Sequence, residues 1–146
     1  MNNIFLSTIR KISKWASGES LWPLACGLSC CAIEMMQAAT SRFDLDQFGC
    51  LFRSSPRHSD LMIISGTVTN KMAPQIKNLY DQMLSPKFVI AMGNCAISGG
   101  IYSESDTVIN GVNKIIPVDI YLYGCPPRPE QLVMAIKELQ NRIKNK

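Results

Sequence analysis

No segment of this chain is long and apolar enough to cross a bilayer as a helix. The longest stretch without charge, Phe88 to Ser103, is 16 residues and is interrupted by Gly93, Asn94, Gly99 and Gly100, whereas a spanning helix needs about 20 apolar residues. Histidine is nearly missing: His58 stands alone and no spacing links it to a thiol, which disfavours a Cys–His nucleophile. The Cys-x-x-Cys pair is absent, and with it the usual spacing of structural zinc. Repeats, low-complexity runs and a basic stripe interleaved with aromatics are also missing. Their absence argues against a solenoid, a disordered tail and a nucleic-acid partner.

What is present describes one globular unit. The chain has 146 residues, 47% of them apolar and 18% charged, with a net charge of +4 from 15 basic and 11 acidic side chains. That is one domain's worth of core. Residues 1–18 read as a basic amphipathic helix, with Phe5, Ile9, Ile12 and Ala16 at helical spacing, Arg10, Lys11 and Lys14 beside them, and no acid before Glu19. Such a helix packs on a neighbour or touches a membrane surface. Residues 19–146 form the remaining single domain. Six cysteines without a secretory leader predict a reducing compartment, in which thiols serve packing, redox chemistry or ligation.

Three apolar runs read as strands covered on both faces: 61–69, 87–92 and 114–122. Between the first two, Ile76, Leu79, Tyr80, Met83 and Leu84 keep helical spacing, started by Pro74 and stopped by Ser85-Pro86. A last helix opens at Pro129-Glu130 and carries Leu132, Ile136, Leu139 and Ile143 on one stripe. The order predicts a parallel α/β sheet, whose ligands gather beyond the carboxyl ends of the strands. Cys95 and Cys125 follow the second and third of these runs, each close behind a glycine.

The tandem Cys30-Cys31 in GLSCCAIEMM is the other conspicuous feature, while Cys26 and Cys50 sit in apolar surroundings and read as core. A disulfide across neighbouring residues strains the intervening peptide. An iron-sulfur cluster is bulkier than a zinc ion and takes thiolates from separate loops. Two adjacent sulfurs reach one cluster only if the backbone there is irregular, because regular helices and strands turn successive side chains apart. Spacing alone leaves both ligation and chance packing open.

The motifs SLWP, GLSCCAIEMM, SRFDLDQFG, FRSSPRHSDLMIISGTVTNKMAP, YDQM, AMGNCAISGG and IPVDIYLYGCPPRPE resemble, in order, those of the small iron-sulfur subunit of respiratory complex I, the proton-pumping NADH:quinone oxidoreductase. That family is found in bacteria and in mitochondria, where it is called the PSST or 20 kDa subunit. The resemblance implies a flavodoxin-like α/β fold related to the small subunits of nickel-iron hydrogenases. It also implies one 4Fe-4S cluster on Cys30, Cys31, Cys95 and Cys125, delivering electrons to a quinone. The quinone side would include Trp22, Met35, Met36, Leu45, Phe48 and Arg53, and the cations Arg42, Arg53 and Arg57 would tune the cluster.

The implied partners are the large hydrogenase-like subunit of 49 kDa type, a ferredoxin-like two-cluster subunit and the membrane arm. The implied location is peripheral on a membrane, at the matrix side of the mitochondrial inner membrane or the cytoplasmic face of a bacterial one. Proton-donating Tyr and His side chains would belong to the large subunit. The chain departs from the resemblance at Cys26, where relatives carry an aromatic residue, and at Cys50. Two rivals remain: a hydrogenase small subunit, which separates its first two ligands as Cys-x-x-Cys, and a zinc-stabilised interaction module without redox work.

Overall fold

In the run Leu61-Met62-Ile63-Ile64 every side chain is apolar, so a strand formed there has two faces to cover. The computed structural model describes residues 2–145, with side chains from residue 6 onward, and it covers both. Leu61 and Ile63 face one cluster with Ile90, Met92, Ile120 and Leu122. Met62 and Ile64 face a second cluster with Val89 and Ala91. This is the period-two alternation of a strand buried on both sides.

Four strands, β1 (Pro23–Gly27), β2 (Leu61–Ser65), β3 (Phe88–Met92) and β4 (Ile120–Leu122), lie parallel in the order β1-β2-β3-β4. A residual fifth strand is reduced to one parallel bridge between Arg53 and Leu24 on the free edge of β1. There the Arg53 amide donates to the Pro23 carbonyl at 2.8 Å. Counting that fragment second in chain order, the spatial order becomes 2-1-3-4-5, the flavodoxin-like arrangement, with its switch point between β1 and β2.

The helices divide between the two faces. α2 (Cys31–Ala38) and α5 (Pro129–Asn145) cover the first through Cys31, Met35, Ala38, Leu132, Ile136, Leu139 and Ile143. α3 (Ala73–Gln82) and α4 (Asn94–Ser98) cover the second through Ile76 and Ala96. α1 (Asn2–Glu19) lies along α5, where Glu19 pairs with Lys144. The predicted amino-terminal helix is therefore present. Ile9, Ile12 and Ala16 of its predicted stripe are exposed, as are Leu6 and Trp15, while the side chain of Phe5 lies outside the described residues. Among the described residues no helix is long and apolar enough to cross a membrane.

Two strands are shorter than the sequence predicts. β2 stops at Ser65 because Gly66 turns the backbone to φ +114°, and β4 begins only at Ile120. Residues Val112–Lys114 form a 3-10 turn instead of strand, and Pro117 has no amide to give a ladder. Asp119 anchors the start of β4, with its amide on the Val89 carbonyl at 2.9 Å and its carboxylate accepting from the Val89 amide at 2.8 Å. Strand β1 was invisible to periodicity, because Pro-Leu-Ala-Cys-Gly has neither an apolar run nor clean alternation.

Burial along α5 makes a direct test. Ile136 is fully buried whereas Met134, on the same helix, is 69% exposed. Ile136→Ala is expected to lower unfolding free energy by about 2–5 kcal/mol, and Met134→Ala by no more than about 0.5 kcal/mol. Urea melts of the two variants check the contrast.

Candidate metal centre

The loops leaving β1, β3 and β4 all emerge at the carboxyl edge of the sheet, and each carries cysteine. The first is stitched to the end of β2. The amides of Leu28 and Ser29 both donate to the Ser65 carbonyl, at 2.9 and 3.4 Å, and the Thr67 amide donates to Ser29 Oγ at 3.2 Å. Cys30 then caps α2 in helical conformation, φ −54° and ψ −30°, and Cys31 is the first residue of that helix. The backbone at the tandem is thus an ordinary helix start, not the irregular one predicted.

The divergence of neighbouring helical side chains is retained. Cys31 turns inward and is 2% exposed, while Cys30 stays at the rim.

The other two loops are tied to each other. The Gly93 amide donates to the Leu122 carbonyl at 2.8 Å and the Asn94 amide to the Gly124 carbonyl at 3.0 Å. The Gly124 amide in turn donates to Asn94 Oδ1 at 3.1 Å. These bonds fix buried Cys95 in α4 relative to exposed Cys125 beyond β4. Gly93 adopts φ +91°, and a Cβ there would collide with Cys31 Sγ. That glycine lets α2 and the loop after β3 approach each other sulfur to backbone.

Electrostatics joins all four thiols. Burial pushes the Cys31 thiol up to about 12, and Cys30, Cys95 and Cys125 add to the rise in that order. The structure therefore brings Cys30, Cys95 and Cys125 each within electrostatic reach of Cys31. As uncompensated thiolates they would repel, so deprotonating the set calls for a cationic group among them. Among the described residues no three His, Cys, Asp or Glu side chains close on a single point. A donor set of four soft sulfurs, two buried and two at the rim, fits a group broad enough to take ligands from several loops.

The remaining predicted residues separate into groups. Met35 is buried under the tandem, its Sδ 3.8 Å from Ser65 Oγ, and Met36 is exposed. With Ala25, Ala39 and Phe52 these methionines line an apolar groove of about 270 Å³ between α2 and β1. Trp22 and Arg53 sit at the opposite end of β1, about 13 Å of strand away, with the Arg53 guanidinium 4.3 Å from the Trp22 ring centre.

One expectation needs correction. Leu45 is wholly buried in the core under α5 and has no surface to offer a quinone. Phe48 is half-buried beside it, its carbonyl accepting from Gln140 and its ring lying under Lys137. The cations expected to tune the cysteines are placed by other contacts. Arg42 lies over Phe43 and is exposed, as is Arg57, and Arg53 is held at Trp22. The surroundings of Cys31 are set by burial and by the other thiols.

Cys26 and Cys50 are buried, as their apolar flanks predict, and burial raises both thiols, Cys50 to about 11. Sequence reasoning missed Ser29 and Asn94, which lock the loops, and Phe52, Ala25 and Ala39, which wall the groove. The first two stand next to the cysteine motifs, so adjacency was the available signal. The others carry none.

Two comparisons extend this geometry. The family described as "NADH ubiquinone oxidoreductase, 20 Kd subunit" matches residues 29–139. A solved chain from the membrane-bound sulfane sulfur reductase, an archaeal respiratory membrane complex, superposes with a TM-score of 0.88 at 42% identity. The match covers 92% of this chain and 76% of that one.

Substituting Gly93 tests the close approach of α2. Gly93→Ala puts a side chain into a conformation that costs about 1–3 kcal/mol and into the volume of Cys31 Sγ. Iron and acid-labile sulfide per chain are expected to fall well below wild type in protein that retains its helical circular dichroism. Full iron loading in the variant would show that Gly93 is not needed for the site.

Proposed function

The chain belongs to the family of the NADH ubiquinone oxidoreductase 20 Kd subunit, and from that membership we propose that it is the electron-delivering subunit of a complex I-like membrane assembly. In this reading Cys30, Cys31, Cys95 and Cys125 hold one 4Fe-4S cluster, which when bound supplies one-electron carriage. The observation that supports it is that the loops and helix starts after β1, β3 and β4 carry these cysteines at the carboxyl edge of the sheet, with Cys30, Cys95 and Cys125 each in electrostatic reach of Cys31.

The chain's own residues then divide the work. Gly93 and the Asn94–Gly124 bonds hold the thiols in place. The groove of Met35, Met36, Phe52, Ala25 and Ala39 offers a dry apolar wall to a quinone ring and excludes water from it. None of those five residues titrates, and quinone reduction consumes two protons with its two electrons. In this reading the proton donors belong to the large hydrogenase-like subunit.

The surface for that partner is marked by exposed Ile33 and Met36 on α2, Ile101 and Tyr102 after α4, and Tyr123 after β4. Such an apolar rim is what a docked subunit covers. Further partners in this reading are the ferredoxin-like two-cluster subunit and the membrane arm. The chain then sits peripherally on an energy-transducing membrane, mitochondrial or bacterial. NADH:ubiquinone specificity belongs to the same proposal. The likeness to a chain of a sulfane sulfur reductase supports a second reading, in which the same electron-delivering role serves a sulfur acceptor.

Low-temperature EPR of the dithionite-reduced assembly tests the ligand set. Cys31→Ser and Cys95→Ser are expected to abolish or shift one 4Fe-4S signal and lower iron per chain, while Cys26→Ser and Cys50→Ser leave both unchanged. Stoichiometric zinc without iron or sulfide would favour a zinc-stabilised module instead.

A second measurement separates the groove from the thiols. Met36→Lys places an ammonium on the apolar wall and is expected to slow quinone reduction at least about tenfold with the EPR signal intact. Unaltered quinone turnover would remove the groove from the acceptor site, and faster turnover with polysulfide than with ubiquinone in wild type would favour the sulfur reading.

A further inference from the structure

A cavity larger than the methionine groove lies far from the cysteines, at the amino-terminal edge of the sheet. It measures about 590 Å³ and forms a wedge between α1, α5 and the start of β3, within the range of small-molecule sites. Its origin is the way α1 is fastened. Gly18 permits close contact with Lys144 and Gln140 at the helix's last turn, and Glu19 pairs with Lys144, so the earlier turns stand off from the sheet.

The floor is apolar, made by Pro86, Phe88, Leu139 and Ile143, and the α1 wall contributes Ser13, Ser17 and Lys14. The other charged lining groups are already engaged. Asp119 accepts from the Val89 amide, and Arg142 donates to the Asp119 carbonyl and pairs with Glu138. Lys14 has no ion pair among the described residues, and Arg10 and Lys11 lie on the same helix, which has no acid before Glu19. Away from the cavity wall α1 exposes Ile9, Ile12 and Trp15, and Leu6 is exposed one turn and more before Ser13. Apolar residues with cations and an interfacial tryptophan on one helix complement an anionic lipid surface.

We propose that this wedge binds an anionic phospholipid, with one acyl chain on Phe88, Leu139 and Ile143 and the phosphate on Lys14. The lipid would fill the space that α1 leaves and seat the helix at a membrane interface. A protein segment fits less well, because it would have to bring both an apolar anchor and a carboxylate to Lys14. The cavity is at the opposite end of the sheet from Cys30 and Cys31, so failure here would leave the cysteine reading untouched.

The test uses lysophosphatidylglycerol below its critical micelle concentration, titrated calorimetrically into the full chain. One equivalent is expected to bind. Lysophosphatidylcholine, or lysophosphatidylglycerol with Lys14→Ala, should bind about fivefold more weakly. Ser17→Trp, which fills the wedge, should abolish uptake with circular dichroism unchanged.

Four results would overturn the proposal. They are no saturable one-to-one uptake, equal affinity for the two headgroups, unchanged affinity in folded Ser17→Trp, and crosslinking of Ser13→Cys to a polypeptide rather than lipid in the intact assembly. The headgroup comparison on wild type decides the matter even if the tryptophan variant fails to fold.

Discussion

One absent methyl group governs the arrangement of the cysteine end. At residue 93 there is no Cβ, and Cys31 Sγ takes the space it would fill. With any other residue there, α2 would have to withdraw from the loop after β3, and Cys31 would leave the neighbourhood of Cys95. The contact also depends on what holds each side. Ser65 fixes the tandem loop through the amides of Leu28 and Ser29, and Asn94 and Gly124 fix the opposite pair of loops. All these partners sit just past the carboxyl ends of parallel strands. There the sheet leaves loops rather than ladder, and short polar bonds between loops decide position.

The same contact sets the electrostatic problem. Cys31 is buried beside three other thiols, and its proton is held far more tightly than in water. A thiol raised in the folded state favours the fold while protonated, and it loses that advantage as pH rises above the thiol's ordinary range toward 12. Near neutral pH Cys31 therefore keeps its proton. Any group that ligates it must release protons and supply positive charge in return. Cys26 and Cys50 share the burial but not the thiol neighbours, so burial alone does not make a ligand here.

Motif reading placed the cysteines along the sheet better than it bounded the elements. Cys95 and Cys125 were legible because strands β3 and β4 end just before them, and parallel sheets put ligands at that edge. The tandem was legible as a pair but not in geometry. Nothing in Gly-Leu-Ser-Cys-Cys shows that Cys30 is a helix cap whose loop is pinned by Ser65, 35 residues on in the chain. Strand β1 was hidden by its composition, since Pro, Ala and Gly gain their strand geometry only from pairing with β2. Leu45 and Phe48 show the opposite failure. A motif position suggested a ligand wall, whereas packing puts Leu45 in the core and leaves Phe48 half-buried against it.

The fold keeps its two unusual surfaces a full strand length apart, and the separation follows from topology. Helix α2 must begin at the carboxyl edge because β1 ends there, which brings Met36 and the apolar groove to the thiols. Helix α5 starts at that edge and runs back, so its last turns, with Arg142 and Ile143, meet α1 at the amino edge. An electron acceptor lodged at the groove would find apolar walls and no titrating side chain from this chain. The five residues that wall the groove thus offer packing and no proton, so any chemistry there that consumes protons depends on groups beyond them.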